Sequence, residues 1–192
     1  MNTVELPLFP LQTVLFPGAV VTLRIFEPRY LDMIRDCARS STGFGVVCAH
    51  TGDGDHPAAR HARVGTEAAL IDFTTLEDGL LGVSCRGQRR FRVQSTRARD
   101  NGLLIAEANW LPPEPAVPVP IRFATLQTLM QELLRQREVA HRVDVDIEDA
   151  GSLGRALSAI LALSLEHSQA LLEITDPVAR LEALVSLLQD DQ

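Results

Sequence analysis

Five prolines in nine residues, PPEPAVPVP at positions 112–120, divide this chain into halves with different secondary-structure rhythms. Each Pro fixes φ and removes a backbone donor, so the stretch is expected to be extended and fairly stiff. Ahead of it, β-branched and apolar residues come in short runs separated by turn signals. Behind it, apolar residues recur at helical spacing. The pattern predicts an α+β chain: a barrel-like antiparallel sheet with one early helix over residues 1–111, a Pro-rich linker over 112–120, and a helical bundle over 121–192.

Residues 6–30, LPLFPLQTVLFPGAVVTLRIFEPRY, begin the sheet. Pro10 interrupts two apolar runs, and Pro17-Gly18 sets a turn, since Pro fixes the first central φ and Gly tolerates the positive φ of the second. Val20, Val21, Thr22, Leu23, Ile25 and Phe26 then read as a largely buried strand. Glu27-Pro28 ends it, and Pro28 opens a helix with Tyr30, Ile34, Cys37 and Ala38 on one face. Further strands are expected over 43–48, 64–73, 80–85 and 103–110, with turns at Asp78-Gly79 and at Asp100-Asn101-Gly102. Gly87-Gln88 is expected to reverse the chain before a strand through Phe91 and Val93. Beyond the prolines, Phe123, Leu126, Met130, Leu133 and Leu134 share a helical face. Ser152 is expected to cap a helix carrying Leu153, Ala156, Leu157, Ile160 and Leu161. A short helix over 168–174 precedes a last one that starts at Asp176-Pro177 and buries Leu181, Leu184, Val185 and Leu188.

Composition narrows the chemistry. With 192 residues and 46% hydrophobic content the chain can bury one substantial core or two modest ones. Its net charge of −7 argues against a general polyanion binder, although residues 1–99 hold 12 Arg against 10 acids and residues 100–192 hold 6 Arg against 15. All 18 basic residues are Arg. Without Lys there is no P-loop phosphate Lys, Schiff-base Lys or Ser-Lys dyad, and Arg does not shed its proton to replace them. Three separated cysteines, Cys37, Cys48 and Cys85, suggest small buried hydrophobes and no zinc ribbon or disulfide framework. No leader pattern or membrane-length apolar run stands out, so a soluble, cytoplasmic protein is expected.

Four clusters invite chemical readings. His50, Asp53, Asp55, His56 and His61 offer metal-ligand chemistry without a defined spacing, so a solvated loop is the plainer expectation. Asp144, Asp146, Glu148 and Asp149 resemble a calcium loop but lack its Gly at position six and Glu at position twelve. Arg86, Arg89, Arg90 and Arg92 beside Phe91 could begin an RNA surface, against which stands the scarcity of aromatics. Ser84 lies in GVSCRG, short of a G-x-S-x-G elbow, and Cys85 or Cys48 could only pair with His167 or His50 through the fold. No metal, cofactor or catalytic residue is therefore expected.

LPLFPLQTVLFPG followed by LRIFEPRY resembles the N-terminal substrate-binding domain of the ATP-dependent Lon protease, in the version found as a small free-standing bacterial protein. Val64-Gly65-Thr66, Gly87 with Arg90 and Phe91, Leu171-Leu172-Glu173 and Arg180-Leu181-Glu182 extend the resemblance over nearly the whole chain. It implies a PUA-like pseudobarrel followed by helices, and a non-catalytic module that gathers unfolded or apolar polypeptide segments. These residues hold no G-x-x-x-x-G-K-[ST], so proteolysis would need a separate protease or chaperone as partner. The surface to test first is the corner of Phe16, Phe26, Glu27, Arg29 and Tyr30 with Arg90 opposite. An RNA-associated PUA-like module is the alternative, with nucleic acid the less favoured partner; a hydrolase with an unrecognised site comes third.

Overall fold

The computed structural model describes residues 3–49 and 61–190. In chain order, β1 (Thr3–Leu11), β2 (Val20–Ile25), α1 (Pro28–Ser40), β3 (Phe44–Ala49), β4 (His61–Thr75), β5 (Leu81–Ala98) and β6 (Leu104–Trp110) belong to one unit, Met1–Leu111. The strands lie in the order β2-β5-β4-β3-β1-β6, and β5 also pairs with β6, which closes five of them into a ring and leaves β2 outside. All neighbours are antiparallel except β1 and β3, which run parallel because β2 and α1 form the connection between them. β1 carries Pro7 and Pro10 inside the sheet. Its first half pairs with β6 from Thr3 to Leu8 and its second half with β3 from Leu8 to Leu11, so each proline has one side without a ladder partner.

The expected reversal at Gly87 does not occur: β5 is one strand from Leu81 to Ala98. Gly87 is instead a point of close approach. Gly18 N–H donates to Gly87 O and Gly87 N–H to Ala19 O, both at 2.9 Å, and a Cβ on Gly87 would lie 2.2 Å from Phe16 O. Gly18 has φ 84° and Ala19 N–H donates to Phe16 O at 3.1 Å, as the Pro17-Gly18 turn requires. The ring encloses Leu6, Leu8, Val47, Phe91, Val93, Leu104, Ala106 and Ala108. Phe91 fits there because Gly45 and Gly65 lack side chains; a Cβ on either would come within 2.6 or 2.7 Å of its ring.

α1 starts where expected, with Pro28 in its first turn, and buries Tyr30, Met33, Ile34 and Cys37, while Ala38 is exposed. β2 is an alternating edge strand and not a largely buried one, so Leu23 and Ile25 are inside while Phe26, just past its end, is exposed.

The second unit, Pro112–Gln192, contains a 3-10 turn (Ile121–Phe123), α2 (Ala124–Leu134), α3 (Arg137–Ala140), α4 (Ala150–Ile160), α5 (Leu165–Glu173) and α6 (Pro177–Asp190). α4 packs against α2, α5 and α6. The proline stretch is held against this unit. Val117 N–H donates to Asp149 Oδ1 at 2.9 Å, Val119 N–H to Glu148 O at 3.0 Å, and Ala150 N–H to Val117 O at 2.7 Å. Asp149, not Ser152, caps α4, accepting from Ser152 N–H at 2.8 Å, while Ser152 Oγ accepts from Asp146 N–H. Glu114, set between prolines, meets Arg180, whose side chain is 1% exposed. Arg180 donates Nη1 and Nη2 to the two Glu114 oxygens at 3.0 and 2.5 Å, and Nε to Leu171 O at 3.0 Å. Arg155 also contacts Glu114.

Three outcomes follow from this packing. Gly87→Ala forces a methyl into the Phe16 carbonyl and is expected to cost about 3 kcal/mol in urea unfolding. Glu114→Ala strands the buried Arg180 charge and is expected to cost about 3–5 kcal/mol by the same measurement. Burial, then the neighbouring Cys37, pushes the Cys85 thiol from 9.0 up to about 12. The folded state thus holds this proton more tightly than the unfolded state, and its stabilisation is complete below pH 9 and lost as pH rises towards 12. Thermal melts through that window should show Tm falling more steeply for the native chain than for Cys85→Ala.

Candidate functional site

The strand-to-helix corner is built by Glu27-Pro28, which ends β2 and starts α1. Tyr30 N–H and Leu31 N–H both donate to Glu27 O, at 3.0 and 3.1 Å, so the corner has a fixed backbone. Glu27 pairs with Arg29 at 2.7 Å, and Arg29 Nη1 donates to Gly102 O at 3.0 Å, tying the start of α1 to the β5–β6 turn. The same guanidinium lies 4.8 Å over the Tyr30 ring. Tyr30 itself packs inward at 4.1 Å from Phe9, and burial pushes its phenol up. Glu27, Pro28, Arg29, Asp32 and Asn101, four of them polar or charged, line a cavity of about 450 Å³.

Of the six residues singled out from the sequence, Glu27, Arg29 and Tyr30 thus come together, with Phe26 beside them and 63% exposed. Phe16 is buried under the Pro17-Gly18 turn, and Arg90 is buried opposite Thr66 in the β4–β5 ladder. Two residues that sequence reasoning missed are Ile71 and Phe73, 47% and 50% exposed on β4. Phe73 also lines a second cavity of about 690 Å³, walled by the end of α1, by Glu67, Ala69 and Leu70 of β4, and by Gln88 and Arg89 of β5. The available signal was length: a strand read over 64–73 is longer than one read over 43–48.

The other clusters are occupied by structural work. His50, Asp53, Asp55 and His56 lie outside the described residues; His61 Nδ1 sits 2.8 Å from Ala62 O. Among the described residues no group of three or more His, Cys, Asp or Glu side chains is arranged to hold a metal. Asp146 and Asp149 of the acidic run accept backbone N–H groups at the start of α4. The four arginines lie along one strand, not on a hairpin, and not all of them face solvent. Phe91 is in the core, Arg90 is buried, and Arg89 stacks 3.7 Å over Trp110 while pairing with Glu67 at 3.2 Å. Ser84 shares a hydrogen bond with Thr22 at 3.2 Å. All three thiols are buried, and burial raises each of them, the reverse of what a nucleophilic thiolate needs.

Residues 5–190 match the family model of the ATP-dependent protease La (LON) substrate-binding domain. A Lon N-terminal domain protein from Xanthomonas campestris has a similar structure, with TM-score 0.80, 38% identity, and coverage of 95% of this chain and 98% of that one. The N-terminal domain of the Mycobacterium avium complex Lon protease shares the fold at TM-score 0.68 and 19% identity, covering 98% of this chain and all of that one (100%). Lon proteases from Cytophaga hutchinsonii and Vibrio parahaemolyticus are 24% and 26% identical over 97% and 98% of this chain. The chain spans only 24% and 25% of their lengths. Over nearly all of its length, then, this chain belongs to the LON substrate-binding domain family.

Proposed function

We propose that this chain binds unfolded or apolar polypeptide segments and performs no chemistry on them, acting as an adaptor for a separate protease or chaperone in cytoplasmic protein quality control. The family match supports a binding module in a proteolytic setting. The observation that carries the polypeptide reading is the exposure of Phe26, Ile71 and Phe73 at one end of the β2-β5-β4 ribbon. Ile25 pairs with Leu81 and Leu81 with Thr75, so Phe26 and Phe73 flank the same turn of the sheet. Exposed large apolar side chains near one end of a ribbon are candidates for contact with another chain. In this reading Phe26 and Phe73 touch the client, Glu27 and Arg29 form a polar rim, and Phe16, Tyr30 and Arg90 hold the scaffold from within.

Fluorescence anisotropy with a labelled, permanently unfolded polypeptide and with labelled RNA tests the proposal. Saturable polypeptide binding is expected, with Phe26→Ser and Phe73→Ser each weakening it by about 1–2 kcal/mol, roughly five- to thirty-fold in Kd. Salt-sensitive RNA binding without polypeptide binding would overturn it.

A further inference from the structure

Strand β4 runs past the strand beside it. β3 begins at Phe44, opposite Ala68, because α1 ends at Ser41 in the left-handed region, φ 52°, and the chain enters the sheet only after Gly43. Residues 69–75, ALIDFTT, keep β5 on one side and have no strand on the other among the described residues. Natural sheets blunt such edges with Lys, Pro or a covering element. This one instead bears exposed Ile71 and Phe73, of which Phe73 lines the cavity of about 690 Å³.

Ladder alternation identifies the backbone groups that face outward. Leu76 N–H donates to Leu80 O at 2.9 Å, which makes Leu76 and Leu80 a bonded pair. Through the registers Thr75↔Leu81, Thr74↔Gly82 and Phe73↔Val83, bonded and non-bonded pairs alternate. The N–H and C=O groups of Phe73 and Thr75 therefore point away from β5. Phe73 N–H confirms the direction by donating to Asp72 Oδ1 at 2.8 Å. That carboxylate stands where the carbonyl of a neighbouring strand would be.

The geometry points to strand addition: an extended apolar segment of a client polypeptide pairs antiparallel with β4 in line with β3, bonding to the Phe73 and Thr75 main chain and laying alternate apolar side chains over Leu70 and Phe73. This rests on the polypeptide-binding reading and supplies its mode. Charge selects a client segment over a second copy of the chain. Two copies paired antiparallel around Phe73 would set each Asp72 opposite Thr74 of the other copy and make the two carboxylates diagonal neighbours on one face, whereas a client without acids there meets no such repulsion.

The test uses the full chain and a labelled peptide with apolar residues at alternate positions, so that a one-residue slip turns its apolar face away. Two versions carry N-methyl groups on alternate amides of opposite parity. One parity is expected to lose about ten-fold or more in affinity and the other to bind like the unmodified peptide. Thr75→Pro, which keeps the bonds to β5 but removes an outward N–H, should weaken the unmodified peptide similarly. Asp72→Ala, which releases Phe73 N–H, should bind it several-fold more tightly. Equal binding of both N-methylated peptides overturns strand addition while leaving polypeptide binding intact. Loss of binding in Asp72→Ala, or a peptide-blind dimer broken by Thr75→Pro, overturns it as well. Failure of every peptide to bind the native chain overturns both this and the reading beneath it.

Discussion

The first unit depends on the continuity of β5, a single strand from Leu81 to Ala98. One side of this strand follows β4 from Leu81 to Arg92, and the other side is handed from β2 to β6. The handover spans residues 87–90, where the Pro17-Gly18 turn bonds to Gly87 and Leu111 N–H reaches Arg90 O at 2.9 Å. Only a residue without a side chain lets the Phe16 carbonyl come that close. The ring therefore closes because one strand exchanges neighbours along its length.

Two sides of the sheet stay open among the described residues: the outer edge of β2 and, past Ala68, the outer side of β4. The latter is paired as far as Ala68 and then, among the described residues, has no further strand. The same turn that ends α1 at Ser41 delays β3 until Phe44, so the overhang is a consequence of how the early helix is inserted. In the proposed reading the closed ring is the scaffold and this open stretch of β4 is the feature it presents.

Much of this was legible in the sequence, where short-range chemistry decides. Pro17-Gly18, Asp78-Gly79 and Asp100-Asn101-Gly102 turn the chain, with Gly18, Gly79 and Gly102 at positive φ. Glu27-Pro28 and Asp176-Pro177 begin helices. The misreadings arise where a residue answers to a distant partner. Gly87 looked like a turn because sequence cannot show the Phe16 carbonyl beside it. Ser152 looked like a cap although Asp149, which also binds Val117 N–H, does that work. Ile71 and Phe73 looked like ordinary strand residues, since their exposure depends on where another strand begins. Phe26 looked like part of a largely buried strand, but β2 ends at Ile25 and leaves it exposed.

The second unit makes the same point through charge. A Pro-rich stretch reads as a spacer when only its backbone is considered, yet Glu114 within it binds Arg180, which also donates to the backbone of Leu171 and Ile174. One guanidinium thereby joins residues 112–120, the end of α5 and α6. A Lys could not do this, because a single ammonium lacks the planar fork that addresses a carboxylate with two nitrogens while a third reaches a carbonyl. The absence of Lys, which removes several catalytic chemistries, is thus matched by an Arg that supplies architecture. Side chains with reactive potential are similarly engaged elsewhere: Ser84 with Thr22, Arg89 with Trp110 and Glu67, the thiols in the core. The proposed polypeptide binding would rest instead on exposed apolar side chains and on the outward main chain of β4.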